Sequence, residues 1–205
     1  MEIVIYHKGT AVYLSSGVLP FANELFFLRP CSFLDLVRIL PYTVAKGGGN
    51  MVLSWKRLDG RSGHEEGHAL LQAMFREKTG YDLPAIEKTP QGKPYFANSP
   101  FHFSISHTKD HVFCCLSREN VGIDAEEIGR QIEPAIGKRF CSVSEQQRIR
   151  SNDDLLRLWV LKESYAKLTG RGLGDYLRQT DFFPEDPRIQ IIDGCYVAVF
   201  TEERN

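Results

Sequence analysis

Long apolar runs, paired cysteines and an excess of charge of either sign are all missing from this 205-residue sequence. Lysine and arginine number 25 against 26 aspartates and glutamates, a formal charge of −1, so bulk attraction to nucleic acid or acidic membranes is excluded and any anion site has to be local. No stretch approaches the length of a membrane span, and Met1-Glu-Ile-Val-Ile-Tyr6 has neither the basic nor the long apolar region of a secretory leader. The cysteines, Cys31, Cys114, Cys115, Cys141 and Cys195, form no C-x-x-C pair and no metal-finger spacing. Their odd number, and the apolar run around Cys114 and Cys115, predict buried free thiols in a reducing compartment. Lys46-Gly-Gly-Gly49 lacks the remainder of a phosphate-binding loop and reads as a turn. No low-complexity segment, linker or visible repeat interrupts the chain. These absences predict a cytoplasmic protein that binds neither nucleic acid nor membrane.

What is present suits an ordinary globular core: 42% of residues are hydrophobic, and the length allows one large domain or two small ones. Short strands are expected at Ile3–Tyr6, Ala11–Leu14 and Met51–Trp55, and helices at Ser32–Leu40 and His64–Lys78, the latter stopped by Gly80. Phe101, Phe103 and Ile105 alternate with His102, Ser104 and Ser106, the pattern of a half-buried strand. His111–Ser117 and Val121–Glu126 follow as strands, and a short helix is expected over Ile132–Phe140. Ser142-Val-Ser-Glu145 has capping-box spacing, which makes Glu145 structural. Asp193-Gly194 between two apolar runs predicts a closing hairpin. A boundary near Asn120 divides the chain into halves, 1–119 and 120–205, each with strands and one long helix.

The chemistry gathers in the second half. Asp124 and Glu126 are two apart on a strand, so both carboxylates leave one face. The helix from about Asp153 to Thr169 is apolar nearly all round, yet Trp159, Glu163 and Lys167 form a stripe at four-residue spacing, with Lys162 beside it. Charges on a buried helix need a partner or a cleft. Three carboxylates, Asp124, Glu126 and Glu163, beside two lysines suit a magnesium ion holding a phosphorylated ligand. Taken singly, a D-x-E strand is most often a solvated face and Glu163 with Lys167 an ordinary helix pair.

The ordered motifs F-S-I-S-H (Phe103–His107), V-G-I-D-A-E (Val121–Glu126), R-F-C-S-V-S-E (Arg139–Glu145) and W-V-L-K-E-S-Y-A-K-L-T-G-R-G-L (Trp159–Leu173), with G-K-P at Gly92–Pro94, resemble the Sfp-type 4'-phosphopantetheinyl transferases over roughly the C-terminal half to two-thirds of the chain. The resemblance implies an α+β fold of two similar α/β halves related by a pseudo-twofold, each a small, mostly antiparallel sheet on a long helix. It implies transfer of the 4'-phosphopantetheine arm of coenzyme A to a serine of an apo acyl or peptidyl carrier protein, with release of 3',5'-ADP, by a monomer. Magnesium, or manganese in its place, would sit on Asp124, Glu126 and Glu163. Lys93, Ser106 and His107 would bind the phosphates of coenzyme A, and Lys162 would hold phosphate. Lys167 would hold phosphate or assist the leaving group, and Glu163 would be the base, directly or through a metal-held water. The family's basic segment is not recognisable in the first third; in place of the arginine at the first long helix, Arg61 or His64 would serve. A coenzyme A-binding protein without transferase activity and a magnesium-dependent phosphodiesterase are the alternatives.

Overall fold

The computed structural model describes residues 51–202 and, before them, the backbone of three strands. The turn expected at Lys46–Gly49 and most of the helix expected over Ser32–Leu40 lie outside the described residues. Strands β1 (Ile3–His7) and β2 (Thr10–Leu14) pair as an antiparallel hairpin within a compact unit of residues 1–36. Residues 37–205 form the second unit, described from here on.

That unit runs β3 (Ile39–Leu40), β4 (Val52–Arg57), α1 (Gly63–Thr79), β5 (Ile86–Lys88), β6 (Pro94–Phe96), β7 (His102–His107), β8 (His111–Ser117) and β9 (Val121–Glu127). It continues with α2 (Pro134–Phe140), α3 (Val143–Gln146), α4 (Asn152–Thr169), a 3₁₀ turn (Asp175–Gln179), β10 (Ile189–Ile192) and β11 (Cys195–Thr201). The expected helix end at Leu40 is corrected to a strand, with Ile39 and Leu40 pairing Ser54 and Leu53. Leu40 precedes Pro41, and the proline ring pushes the residue before it out of the helical region.

Two main sheets result, both antiparallel: β3-β4-β8-β7 and β10-β11-β9. The connectivity β4–α1–β7–β8 reappears as β9–α4–β10–β11, with strand orders β4-β8-β7 and β9-β11-β10. Capping makes both long helices legible. Ser62 accepts from the Glu65 amide at the start of α1, and Ser151 with Asp154 closes a capping box at the start of α4. Gly80 and Gly170, at φ 78° and 68°, terminate them in the left-handed conformation that glycine adopts without strain.

The core has three parts. Leu70, Leu71, Met74 and Phe75 of α1 pack on Phe103, Val112, Cys114 and Leu116. Leu53, Phe113, Cys115, Ile123, Ala125 and Val197 fill the space where the two sheets meet. Leu156, Leu161 and Leu168 of α4 cover Tyr196, Ala198 and Phe200. Alternate residues of β8 enter different parts, which is why its sequence is an unbroken apolar run. The cysteines at 114, 115, 141 and 195 are buried and free.

Two close approaches set the spacing. At Gly122 on β9 an added Cβ would stand 2.1 Å from the Ser164 carbonyl oxygen, so glycine lets α4 lie directly on the strand that carries Asp124. On α1, a Cβ at Gly67 would lie 2.8 Å from Ile105 Cγ2 and 3.3 Å from Val112 Cγ2. Gly67→Ala gains about 1 kcal/mol of helix propensity but overpacks the helix–sheet seam by about 1–3 kcal/mol. A net loss of about 1 kcal/mol is expected, read as a lower urea midpoint at unchanged slope; a higher midpoint would contradict the tight seam.

Candidate functional site

The sheets meet along β7 and β9 through side chains. Ser104 Oγ accepts from the Ile123 amide at 3.1 Å and Ser106 Oγ from the Ala125 amide at 3.2 Å. Both links join residues nineteen apart, so the strands run side by side in the same direction and the serines satisfy amides a ladder would otherwise serve. The alternation in F-S-I-S-H thus has a structural purpose. It also aims Ser106 at the site: its hydroxyl donates to Asp124 Oδ1 at 2.9 Å.

Asp124 is buried on β9, and the Lys167 ammonium donates to the same Oδ1 at 2.7 Å. Its other oxygen, Oδ2, is buried with no hydrogen-bond partner among the described residues. A desolvated carboxylate oxygen in that position is costly unless a ligand completes it. Glu163, one turn before Lys167 on α4, has its carboxyl pushed up to about 7 by burial and, next, by the Asp124 charge. Glu126 accepts from Trp159 Nε1 at 3.2 Å and is paired with Arg130. These groups line a cavity of about 290 Å³ together with Ile105, Ser106 and His107.

A second cavity, of about 440 Å³, shares Ile105, His107, Glu163 and Lys167 with the first, so the two adjoin and are called the cleft from here on. Its walls are His64, His68, Lys88, Lys93, Pro94, Phe103 and the loop at Gly170–Leu173. A mainly apolar lining with basic side chains among it suits a small molecule that carries phosphate. Within this cavity, the Lys93 ammonium donates to the Leu168 carbonyl at 2.7 Å and reaches Asn120, tying the β5–β6 turn to the end of α4.

Of the residues expected at the site, the structure brings together Ser106, His107, Asp124, Glu126, Glu163 and Lys167 in the smaller cavity and places Lys93 and His64 in the larger. Arg61 lines neither; it pairs with Glu66 at 3.2 Å at the start of α1. The expectation that Lys162 holds phosphate is corrected. Its side chain is fully buried, its ammonium lies 2.8 Å from Glu145, and it donates to the Leu177 and Thr180 carbonyls at 2.6 and 2.5 Å. One residue before Glu163 on a helix is about 100° away, which turns Lys162 from the cleft into the core. Arg130 and His68 escaped the sequence reading because no periodicity marks them, and the Gly170–Leu173 loop was read as the end of the helix but not as a wall of the cleft.

The residues fit a divalent cation. Asp124 and Glu163 line the smaller cavity, the first with a buried oxygen that has no partner among the described residues and the second with a carboxyl raised by burial and by its neighbour's charge, and a cation would relieve both conditions. Among the described residues, however, no group of three His, Cys, Asp or Glu stands assembled to hold a metal. Glu126, the third carboxylate, is occupied by Arg130.

The state of Glu163 has a consequence for stability. Its folded value is about 7 against an ordinary 4.5, so it favours folding fully below about 4.5, and that contribution is lost as pH rises through 7. In chelator, Glu163→Gln is expected to be the more stable protein at pH 8 by on the order of 2 kcal/mol and to lose that advantage at pH 4.5. Paired urea titrations at the two pH values measure it, and a constant difference would contradict it.

Residues 120–195 match the model of the 4'-phosphopantetheinyl transferase superfamily. Among curated proteins, the chain is 35% identical over 116 residues to 4'-phosphopantetheinyl transferase psf-1 of Bacillus pumilus, covering 52% of this chain and 49% of that one. It is 32% identical over 116 residues to 4'-phosphopantetheinyl transferase Sfp of Bacillus subtilis strain 168, covering 52% and 51%. With L-aminoadipate-semialdehyde dehydrogenase-phosphopantetheinyl transferase of Mus musculus it shares 32% identity over 138 residues, covering 57% and 45%. The chain spans about half the length of these relatives.

Proposed function

We propose, from the premise that residues 120–195 are of the 4'-phosphopantetheinyl transferase superfamily and Sfp-like, that this chain moves the 4'-phosphopantetheine arm of coenzyme A to a serine of an apo acyl or peptidyl carrier protein. The observation that carries the reading is the buried, unpartnered Oδ2 of Asp124 beside Glu163, where Asp124 lines the smaller cavity and Glu163 lines both. In the reaction the serine Oγ attacks the phosphorus that bears the pantetheine arm. The P–O bond to the nucleotide breaks, 3',5'-ADP leaves, and the serine proton needs an acceptor.

Asp124, Glu163 and, once free, Glu126 would hold magnesium or manganese; when bound, the ion neutralises charge on the pyrophosphate. Glu163 would take the serine proton, directly or through a metal-held water, because its carboxylate lines the cavity beside Asp124. Lys167 orients Asp124 and presents its cation to the cleft. Ser106 fixes Asp124 from the other strand, and His107 stands at the junction of the cavities, in reach of both. Lys93 and His64 line the part of the cleft assigned to the nucleotide and arm.

We also infer that β4–α1–β7–β8 and β9–α4–β10–β11 are pseudo-twofold counterparts, within a monomer, and that halves 1–119 and 120–205 supply the coenzyme A and metal contacts respectively. The repeated connectivity and strand order support this. The test is intact-mass spectrometry of apo carrier proteins incubated with this chain, coenzyme A and magnesium, with and without chelator. A gain equal to the phosphopantetheine arm, lost on chelation, is expected. No gain on any carrier, with coenzyme A still bound, would leave a binding protein instead.

A further inference from the structure

The pair between Arg130 and Glu126 opposes the proposed use of the cleft. Glu126 leaves the same face of β9 as Asp124 and lines the same cavity, yet its Oε1 is taken by the Arg130 guanidinium and by Trp159 Nε1. Among the described residues the three carboxylates do not stand assembled as a cation site, and Arg130 holds one of them. The two partners differ in kind. Trp159 sits in α4 with its indole edge-on to Phe140 at 5.0 Å, so its donor is fixed. Arg130 follows Gly129, and its side chain is 49% exposed against 13% for Glu126, so the arginine is free to swing while the carboxylate is not.

The backbone beneath the guanidinium is pinned. Asn152, in the first turn of α4, donates to the Arg130 carbonyl at 2.7 Å and accepts from the Ile132 amide at 2.9 Å. Releasing the side chain therefore does not release the loop. The guanidinium lines the cavity and would be able to change its partner there without the loop moving.

We propose that Arg130 is a positioning residue that links the metal to the phosphates: in the metal-free protein it holds Glu126, and when a divalent cation claims Glu126 the freed guanidinium turns to a phosphate oxygen of coenzyme A. This rests on the transferase reading. Arg130 competes with the metal for one carboxylate, so it weakens metal binding on its own. A guanidinium freed beside a pyrophosphate gains a charge-assisted, two-point contact. Metal and coenzyme A then promote each other's binding through one side chain, and the promotion is reciprocal.

The experiment compares the full chain with Arg130→Gln. Manganese affinity without coenzyme A is read by electron paramagnetic resonance, and coenzyme A affinity by calorimetry in chelator and in saturating magnesium. For Arg130→Gln, manganese binding about tenfold tighter is expected, together with coenzyme A affinity unchanged in chelator and about tenfold weaker in magnesium. Unchanged manganese affinity, or an equal loss of coenzyme A affinity with and without metal, would overturn the inference; the second result would mark Arg130 as a plain phosphate contact. Arg130→Lys keeps the charge without the fork and should recover less than half of the metal-dependent part. If the parent chain binds manganese and modifies a carrier while Arg130→Gln behaves like it, this inference alone fails. If the parent binds no manganese, the metal assignment fails with it.

Discussion

Lys162→Ala is expected to destabilise the protein by about 3–5 kcal/mol, the range for breaking a buried ion pair from one side. Both members of the pair are fully buried, with 2.8 Å between Lys162 Nζ and Glu145 Oε2. Glu145 also accepts from the Ser142 and Phe182 amides at 2.7 Å each, closing the capping box of α3 on one side and holding the segment after the 3₁₀ turn on the other. Removing the lysine strands a fully buried carboxylate beside the Phe182 backbone and frees the Leu177 and Thr180 carbonyls. The loss is read as a fall in urea midpoint. Lys162→Met with Glu145→Gln should recover part of it, because a neutral pair of similar volume avoids the unpaired charge. Coenzyme A affinity, measured on protein that remains folded, should be unaltered. A variant of parental stability that had lost coenzyme A affinity would return Lys162 to the cleft.

The same helix explains how far the sequence could be read. Its two ends were plain, since Ser151 with Asp154 and Gly170 are signals that need only local chemistry. The hairpin at Asp193-Gly194 was equally plain: both residues have positive φ, at 46° and 79°, as the twist of a two-residue turn requires. Inside α4 the limit was the all-round burial. Glu163 and Lys162 both read as charges in need of a partner, and spacing along the chain cannot tell which one faces a cleft. The partner of Lys162 lies seventeen residues earlier, at a position whose capping role was legible but whose second role was not.

The carboxylate wall was legible for a different reason. Alternation on β9 places Asp124 and Glu126 on one face whatever that face meets. What meets it depends on Gly122, which brings α4 into backbone contact, and on Ser104 and Ser106, which lash β7 alongside. None of these announces its partner. Alternation marked the serines without showing that they bond to β9, and Gly122 and the exposed Arg130 carry little periodic signal, so the contacts that close the site were the parts sequence pattern left dark.

Asp124→Asn is expected to separate function from folding. The substitution keeps volume and leaves an acceptor for Ser106 and Lys167, now at 2.9 and 2.7 Å from Oδ1. It removes the charge that a cation would meet at Oδ2 and puts an amide there. Carrier modification should fall by about 10³, comparable to losing a preorganised electrostatic contact, and manganese affinity should fall in parallel. Stability in chelator should not fall. The Asp124 charge is one of the two causes that hold the Glu163 carboxyl up near 7, so neutralising it relieves a repulsion inside the cleft. Against this stands the Lys167 ion pair, whose ammonium is about a third exposed and therefore adds little. Activity assays and urea titrations on one preparation decide the matter. Inactivity with undiminished stability identifies Asp124 as a group kept at a cost for catalysis, whereas a matching loss of stability would make it a structural carboxylate and remove the strongest support for the metal site.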